Sequence, residues 1–560
     1  MEKKMKLNAS KIAAAAIAAL LCTAVFTGCK KTDDSSVSAE SEAATDSSEN
    51  DEDTTDTAKE SSKPAIVGVF GEIRTEFNDS LDLTKYPLTQ NDVPSDFELV
   101  LEAEDAELSG GCSAVEADGF SGSGYVTGLN RDTDSIAFKV TLENSGMYDL
   151  DFRCKTPDTG RVNYVFIDGK HSGDVKTNGS EEVNDSYMKG TYLEAGEHTI
   201  TLSPQWGYVD YDSLVITANT SINDDTYNIT EPLSNPNADD HTQRLYKFLC
   251  DVYGNYSLTG QFADKGRQSS ELSRIKQATG KEFAVLGLDM MDYASQNVKN
   301  GANGRTIEFA YDWYENAGGI VQLCWHWSSP EQYAKNDENN PWYKSFYKEA
   351  SNIDLDKIMN GEDNEGYELL MNDIDLIADQ LERLRDMGVP VIWRPLHEAA
   401  GGWFWWGNCE PESYKKLWNT MYDKMTNEHN LTNLIWMWNG QDPEWYPGDE
   451  TVDIISYDIY AGNHVYESFG GTFTECVETS PKGKLVALSE NGCVMDPELT
   501  MKNNARWLFW GTWADPFTLK NYMLNEEYTE KDMLIKAYNS DRTLTLDELP
   551  NLKTYPLDQN

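Results

Sequence analysis

The sequence predicts an α/β protein: a (β/α)8 TIM barrel preceded by an all-β sandwich. Three observations carry that reading. Between residues 241 and 549, eight near-continuous apolar runs alternate with amphipathic stretches, as buried parallel strands joined by helices should. Between residues 98 and 218, short alternating runs are separated by turn residues, as in antiparallel sandwiches. The chain, at 560 residues, is too long for one ordinary domain, and a barrel of this kind takes about 250 residues or more by itself.

The N-terminus reads as a targeting segment. Lys3, Lys4, Lys6 and Lys11 precede an apolar run from Ile12 to Phe26, too short to span a bilayer comfortably. The run ends at Thr27-Gly28-Cys29, and residues 1–29 resemble a bacterial lipoprotein signal. The resemblance implies lipidation of Cys29, attachment to the membrane and an extracellular, cell-surface location. Residues 30–63 are dominated by Asp, Glu, Ser, Thr and Ala. They cannot bury enough apolar surface to offset chain entropy, so an extended acidic linker is expected.

In the sandwich region the alternation is clearest at Ile136–Val140, Tyr148–Phe152 and Tyr164–Ile167, with turns at Asn144-Ser145-Gly146, Asp168-Gly169 and Ala195-Gly196. A link rich in Asn, Asp and Pro occupies 219–240. The barrel strands are then expected at Ser257–Gln261, Phe283–Asp289, Ile320–Trp327, Val389–Glu398, Leu434–Asn439, Val452–Tyr460, Leu485–Asn491 and Trp507–Trp513. Of the intervening stretches, Leu369–Met387 carries the clearest helical period, with apolar residues at Leu369, Leu370, Ile374, Ile377, Leu381 and Leu384.

Composition narrows the partners. Acidic residues number 95 against 46 basic, a net charge of −49, which argues against nucleic acid and anionic membrane surfaces. Fifteen of the 16 Trp lie beyond residue 300, and indoles stack on the apolar faces of sugar rings. Cysteines are widely spaced without Cys-x-x-Cys or Cys/His ligand spacing, so neither a zinc site nor a dense disulfide framework is expected.

A barrel builds its active site at the C-terminal ends of its strands. The predicted ends carry Asp289, His326-Trp327, Arg394-Pro395-Leu396-His397-Glu398, Trp438-Asn439, Asp458-Ile459-Tyr460, Ser489-Glu490-Asn491 and Trp510. Glu398 and Glu490 end strands four and seven, across the mouth from each other. Glycoside hydrolysis needs two such carboxyls, one to protonate the leaving oxygen and one to attack or to activate water. The chemistry alone does not say which glutamate does which.

Arg394–Gly407 resembles the acid/base signature of glycoside hydrolase family 26, and Leu488-Ser489-Glu490-Asn491-Gly492 resembles its nucleophile strand. Leu258–Gln261, Gly287–Asp289, Trp325–Ser328 and Trp445–Asp449 are similar to further family markers. The resemblance implies Glu398 as acid/base and Glu490 as nucleophile of a retaining endo-β-1,4-mannanase, with no catalytic cofactor. It implies substrate contacts from His326, Arg394, His397, Trp403, Trp406, Tyr460 and Trp510, with Tyr460 bonded to the nucleophile. Alternatives are a β-1,3-xylanase or mixed-linkage β-glucanase of the same family, or a non-catalytic surface glycan-binding protein. In the sandwich, Leu101–Glu104, Gly119–Val126 and Trp206–Asp212 resemble carbohydrate-binding module family 35. That implies a structural Ca²⁺ at Glu102, Glu104 and Asp210, and a ligand contact at Trp206. A monomer is expected.

Overall fold

The computed structural model describes residues 70–156, 161–177, 179–514, 517–521 and 523–557. The expected signal, Cys29 and the acidic linker lie outside the described residues. Among the described residues, no helix is long and apolar enough to cross a membrane.

The N-terminal part is the expected sandwich. One sheet holds β1 (Glu98–Glu102), β3 (Gly146–Thr156), β5 (Tyr187–Leu193) and β7 (Asp210–Ala218); the other holds β2 (Ser135–Leu142), β4 (Arg161–Ile167) and β6 (Gly196–Pro204). Alternate residues of both sheets, including Ile136, Phe138, Leu150, Phe152, Val165, Ile200, Leu202 and Leu214, fill one buried core, as period-two strands with one face inward must.

Eight parallel strands close the barrel: β8 (Gly260–Phe262), β9 (Val285–Asp289), β10 (Ile320–Cys324), β11 (Val391–Arg394), β12 (Leu434–Trp438), β13 (Ile454–Ile459), β14 (Leu485–Asn491) and β15 (Trp510–Thr512). All eight expected strands are present, most of them shorter. β11 stops at Arg394 because Pro395 has no N–H to give to a ladder. Ser257–Leu258 pairs outside the barrel with Thr543–Leu544. Among the surrounding helices are α1 (Asn364–Arg385), α2 (Gly470–Thr479) and α3 (Lys531–Tyr538). Helix α1 covers the predicted stretch as far as Arg385 and buries Leu370, Ile374, Ile377, Leu381 and Leu384, while Leu369 is only partly buried.

Two features lie outside the expected domains. Residues 70–93 form an extended strap along the barrel. Arg74 donates to Leu549 O at 2.8 Å, Arg506 to Tyr86 O at 2.9 Å and to Pro87 O at 2.7 Å, and Tyr86 N–H to Asn255 Oδ1 at 2.8 Å. The sandwich also docks directly on the barrel. Lys189 of β5 pairs with Glu478 of α2 at 2.6 Å, and Lys502 pairs with Glu194 at 2.8 Å. A Cβ on Gly190 would fall 2.3 Å from Thr474 Oγ1, and one on Gly470 would fall 2.7 Å from Gly190 O. Only glycine permits that approach of β5 to the start of α2.

Candidate active site

The turn after β11 delivers Glu398. Leu396 and Glu398 both take left-handed conformations, at φ 51° and 54°, which are uncommon for such residues and stored here at the barrel mouth. The Glu398 N–H is held by Asn439, by its carbonyl at 2.7 Å and its side-chain oxygen at 3.0 Å. Glu490 rides on β14, where the pairing slips on both sides, between Tyr457 and Asp458 of β13 and between Leu488 and Asn491 against β15. Such slips re-aim side chains at strand ends.

Arg394, fully buried, joins the two sides. Its guanidinium donates to Asp458 Oδ2 at 2.8 Å and to Glu490 Oε1. Tyr460 O–H donates to Glu490 Oε2 at 2.6 Å, and the Trp403 indole N–H donates to Glu398 Oε2 at 2.9 Å. One carboxylate oxygen each of Glu398, Asp458 and Glu490 lies within 4.8 Å of the others. Arg394 therefore pairs with Glu490 and Asp458 rather than with Glu398.

The electrostatics separate the two glutamates. Burial, then the charges of Asp458 and Glu490, push Glu398 well above the usual carboxyl range. Burial also raises Glu490, to about 7, but Arg394 and the Tyr460 hydroxyl oppose it. The proton shared by this pair belongs on Glu398, and the charge on Glu490.

One wall of the site is built from imidazoles. His326 bonds through Nδ1 to Asp289 Oδ2 at 2.6 Å, and its Nε2 lies 3.2 Å from His397 Nε2. Burial, the Arg394 charge and His326 together hold His397 well below the usual imidazole range, so it is neutral at pH 7.

Two expected aromatic contacts are corrected. Trp510 is 1% exposed and meets Tyr538 of α3 edge-on at 6.2 Å. The alternation of β15 turns its ring toward the helices, and the aromatic beside the cleft is Trp513, 5.8 Å from His326. Trp406 has no exposed surface. It stacks on Phe404 at 4.5 Å and donates to His397 O at 2.8 Å, bracing the wall from behind.

In the sandwich, Glu102 Oε2 accepts from Ser121 Oγ at 2.7 Å, and Glu104 Oε1 accepts from Ser123 N at 2.5 Å. A Cβ on Gly122 would lie 2.4 Å from Glu104 Oε1 and 3.0 Å from Glu102 Oε2, so the two carboxylates flank one loop. Glu104 Oε2 is buried without a partner. The third carboxylate at that loop is Asp212, whose Oδ1 accepts from Ser121 N at 2.7 Å, not Asp210. An irregularity in β7 between Tyr211 and Ser213 changes which side chain faces the loop. Trp206 is 38% exposed, beneath the Arg161 guanidinium at 4.8 Å.

Residues 234–548 match the model for glycosyl hydrolase family 26. The chain belongs to that family. Residues 99–219 match carbohydrate binding module family 35. The chain is 38% identical over 457 residues to a mannan endo-1,4-β-mannosidase of Thermothelomyces thermophilus, covering 81% of this chain and 91% of the relative. It is 33% identical over 474 residues to mannan endo-1,4-β-mannosidase B of Piromyces sp, covering 81% and 78%. It superposes on the crystal structure of a Podospora anserina GH26-CBM35 β-(1,4)-mannanase with a TM-score of 0.57 and 36% identity, over 82% of this chain and 100% of that one.

Against the family 26 motifs, sequence reasoning left two groups without a role. Asp458 was visible as a strand end and within the family motif Asp458-Ile459-Tyr460 but carried no assigned part, though it is the third carboxylate of the cluster. Asn439 bonds Glu398 on one side and Asp458 Oδ1 on the other, the latter at 3.0 Å. Its position at the end of β12 was the available signal.

Proposed function

We propose that this family 26 enzyme is a retaining endo-β-1,4-mannanase acting on mannan, galactomannan or glucomannan. One observation carries the mechanism. Carboxylate oxygens of Glu398 and Glu490 approach within 4.8 Å. That suits retention, which uses carboxyls about 5–5.5 Å apart, and leaves too little room for the water that inversion places between carboxyls about 6.5–9.5 Å apart.

In the proposed cycle, ionised Glu490 attacks the anomeric carbon while Glu398 donates its proton to the leaving glycosidic oxygen. The C–O bond breaks and a glycosyl ester forms on Glu490. Glu398, now a carboxylate, takes a proton from water. That water displaces Glu490 from the anomeric carbon, and the configuration is retained. Arg394 and Tyr460 keep Glu490 charged and aimed. Trp403 supports Glu398 and presents its ring on the leaving-group side.

The mannan specificity rests on the relatives and on the aromatic and imidazole wall. Hydrolysis of galactomannan, glucomannan, xylan and lichenan is to be compared side by side, with the first product's anomer read by proton NMR. Mannan cleavage with a β product is expected. A product of α configuration overturns the mechanism, and preference for xylan or lichenan overturns the substrate. Glu490→Ala is expected to abolish turnover.

Two further proposals complete the reading. The Glu102, Glu104 and Asp212 carboxylates each bond the loop at Ser121–Ser123, and the unpartnered Glu104 Oε2 offers a hard oxygen that suits a structural Ca²⁺. The basic start, apolar run and Thr27-Gly28-Cys29 support a lipid anchor at Cys29 and an extracellular, cell-surface location. Metabolic labelling with a fatty-acid analogue, lost in Cys29→Ala, tests the anchor.

A further inference from the structure

Three donors of different chemistry meet beside the imidazole wall. β9 and β10 run side by side with Asp289 opposite Cys324, and His326 follows two residues later. One donor atom from each of Asp289, Cys324 and His326 lies within 4.8 Å of the others. The hydrolytic cycle above has no use for a thiol, yet Cys324 is fully buried and free there. A buried free cysteine alone is a small apolar filler. Combined with a carboxylate and an imidazole, it completes the donor set that borderline-soft divalent cations take.

We propose that Asp289, Cys324 and His326 form an inhibitory site for a thiophilic divalent cation, Zn²⁺ or Cd²⁺, with a fourth position open to the cleft. Hard cations such as Mg²⁺ and Ca²⁺ are excluded by the sulphur. The Asp289 side chain is 26% exposed and that of His326 9%, so the ion enters from the cleft.

A tetrahedral ion with nitrogen and oxygen at about 2.0–2.1 Å and sulphur at about 2.3 Å sets its donors roughly 3.4–3.6 Å apart. The 2.6 Å contact between His326 Nδ1 and Asp289 Oδ2 must therefore open. Metal–sulphur, metal–nitrogen and metal–oxygen bonds form. The Cys324 S–H proton leaves to solvent, and the proton between His326 and Asp289 passes to His326 Nε2, with no change of oxidation state. His326 then moves relative to His397, whose Nε2 stands 3.2 Å away, and the wall loses its shape for the sugar.

The test uses the whole protein titrated with Cd²⁺ or Zn²⁺ in chelator-free buffer. Hydrolysis of a soluble manno-oligosaccharide is one readout, and thiolate-to-Cd²⁺ charge-transfer absorbance is the other. Only the first rests on the proposed function, so a failure of that function and a failure of the metal site are distinguishable.

One equivalent of metal is expected to inhibit, to raise the absorbance band, and to be reversed by EDTA. Cys324→Ser is expected to keep hydrolysis, lose the band, and need at least tenfold more metal for half inhibition. Cys409→Ser, a control at a partly buried free thiol, is expected to behave as the parent. A band that survives in Cys324→Ser, or equal metal sensitivity, overturns the proposal. Should Cys324→Ser fail to fold, X-ray absorption of the parent with one equivalent of Zn²⁺ decides. One sulphur beside nitrogen and oxygen ligands supports the site, and a shell without sulphur overturns it.

Discussion

Replacing Asp458 with Asn removes one negative charge from the catalytic cluster at nearly constant shape. An oxygen of Asp458 lies within 4.8 Å of an oxygen on each of Glu398 and Glu490. At an effective dielectric constant of about 20, two charges at that separation interact by about 3.5 kcal/mol, or roughly 2.5 pH units at 1.36 kcal/mol per unit. Spreading of charge over both oxygens, and relaxation of the Arg394 fork, reduce this to about 1–2 units. The sign follows from the direction of each shift. The Asp458 charge raises both Glu398 and Glu490, so its removal lowers both. The proton on Glu398 is then lost at lower pH, and the alkaline limb of activity moves down. Glu490 ionises at lower pH, so the acid limb moves down with it. The assay is kcat/KM against pH on a chromogenic manno-oligosaccharide, with thermal melting to verify folding. Asn keeps an oxygen for the donors Asn439 and Ser489 that now serve Asp458 Oδ1. A folded variant whose alkaline limb stays in place or moves up refutes the reasoning.

Further outcomes follow from single contacts. Trp403→Phe removes the indole donor that favours ionised Glu398, so its alkaline limb should rise, by roughly 0.7 unit for a part-exposed bond of about 1 kcal/mol. The variant's pH–rate profile checks that shift. Trp510→Ala should lower thermal stability by about 3–5 kcal/mol as a core cavity while leaving KM for short substrates within about twofold, whereas Trp513→Ala should raise KM; calorimetry and steady-state kinetics separate the two. Gly190→Val places a side chain where Thr474 stands 2.3 Å from the ideal Cβ. It should cost about 1–3 kcal/mol of overpacking at the docked face, and it should increase protease cleavage near residues 219–240 without changing turnover of soluble substrate. Calcium chelation should lower the melting temperature of the parent more than that of Glu104→Gln, read by differential scanning.

The barrel was legible because buried parallel strands write themselves as near-continuous apolar runs: Leu434–Trp438 and Leu485–Leu488 are unbroken, and Ile320–Cys324 is interrupted only by Gln322. The glutamate pair was legible because polar groups at those ends have no role in packing. What stayed hidden was direction. Trp510 and Trp513 are three residues apart in one aromatic segment, and only the pairing of β15 reveals that one faces the helices and the other the cleft. Trp406 lies within three residues of Trp403, yet a short helical turn sends it behind the wall. Asp210 and Asp212 would share a face on a regular strand. The irregularity between Tyr211 and Ser213 decides between them, and no pattern in the residues announces it. The strap at 70–93 escaped for another reason. Its stability lies in distant partners, such as Arg506 and Asn255, rather than in any local period.

The docked sandwich bears on how the enzyme meets an insoluble chain. A module on a flexible tether raises local substrate concentration but leaves its orientation free. Here β5 and the start of α2 approach so closely that Gly190 and Gly470 cannot carry side chains, and ion pairs at Lys189 and Lys502 flank the contact. Each exposed pair adds little alone; the glycine contact supplies the shape. The strap adds a second tie, since Asn91 donates to Asn219 O at 3.0 Å while Thr89, two residues earlier, bonds Asn504 of the barrel region at 2.9 Å. A sugar held at Trp206 would therefore stand at a set direction from Glu398 and Glu490. Binding at the module then selects which polymer segments can enter the cleft, as well as how many are nearby. The two effects differ in kind. Loss of local concentration is overcome by more substrate, whereas loss of orientation is not. Activity of Gly190→Val on insoluble mannan should consequently remain below the parent's even at saturating polymer.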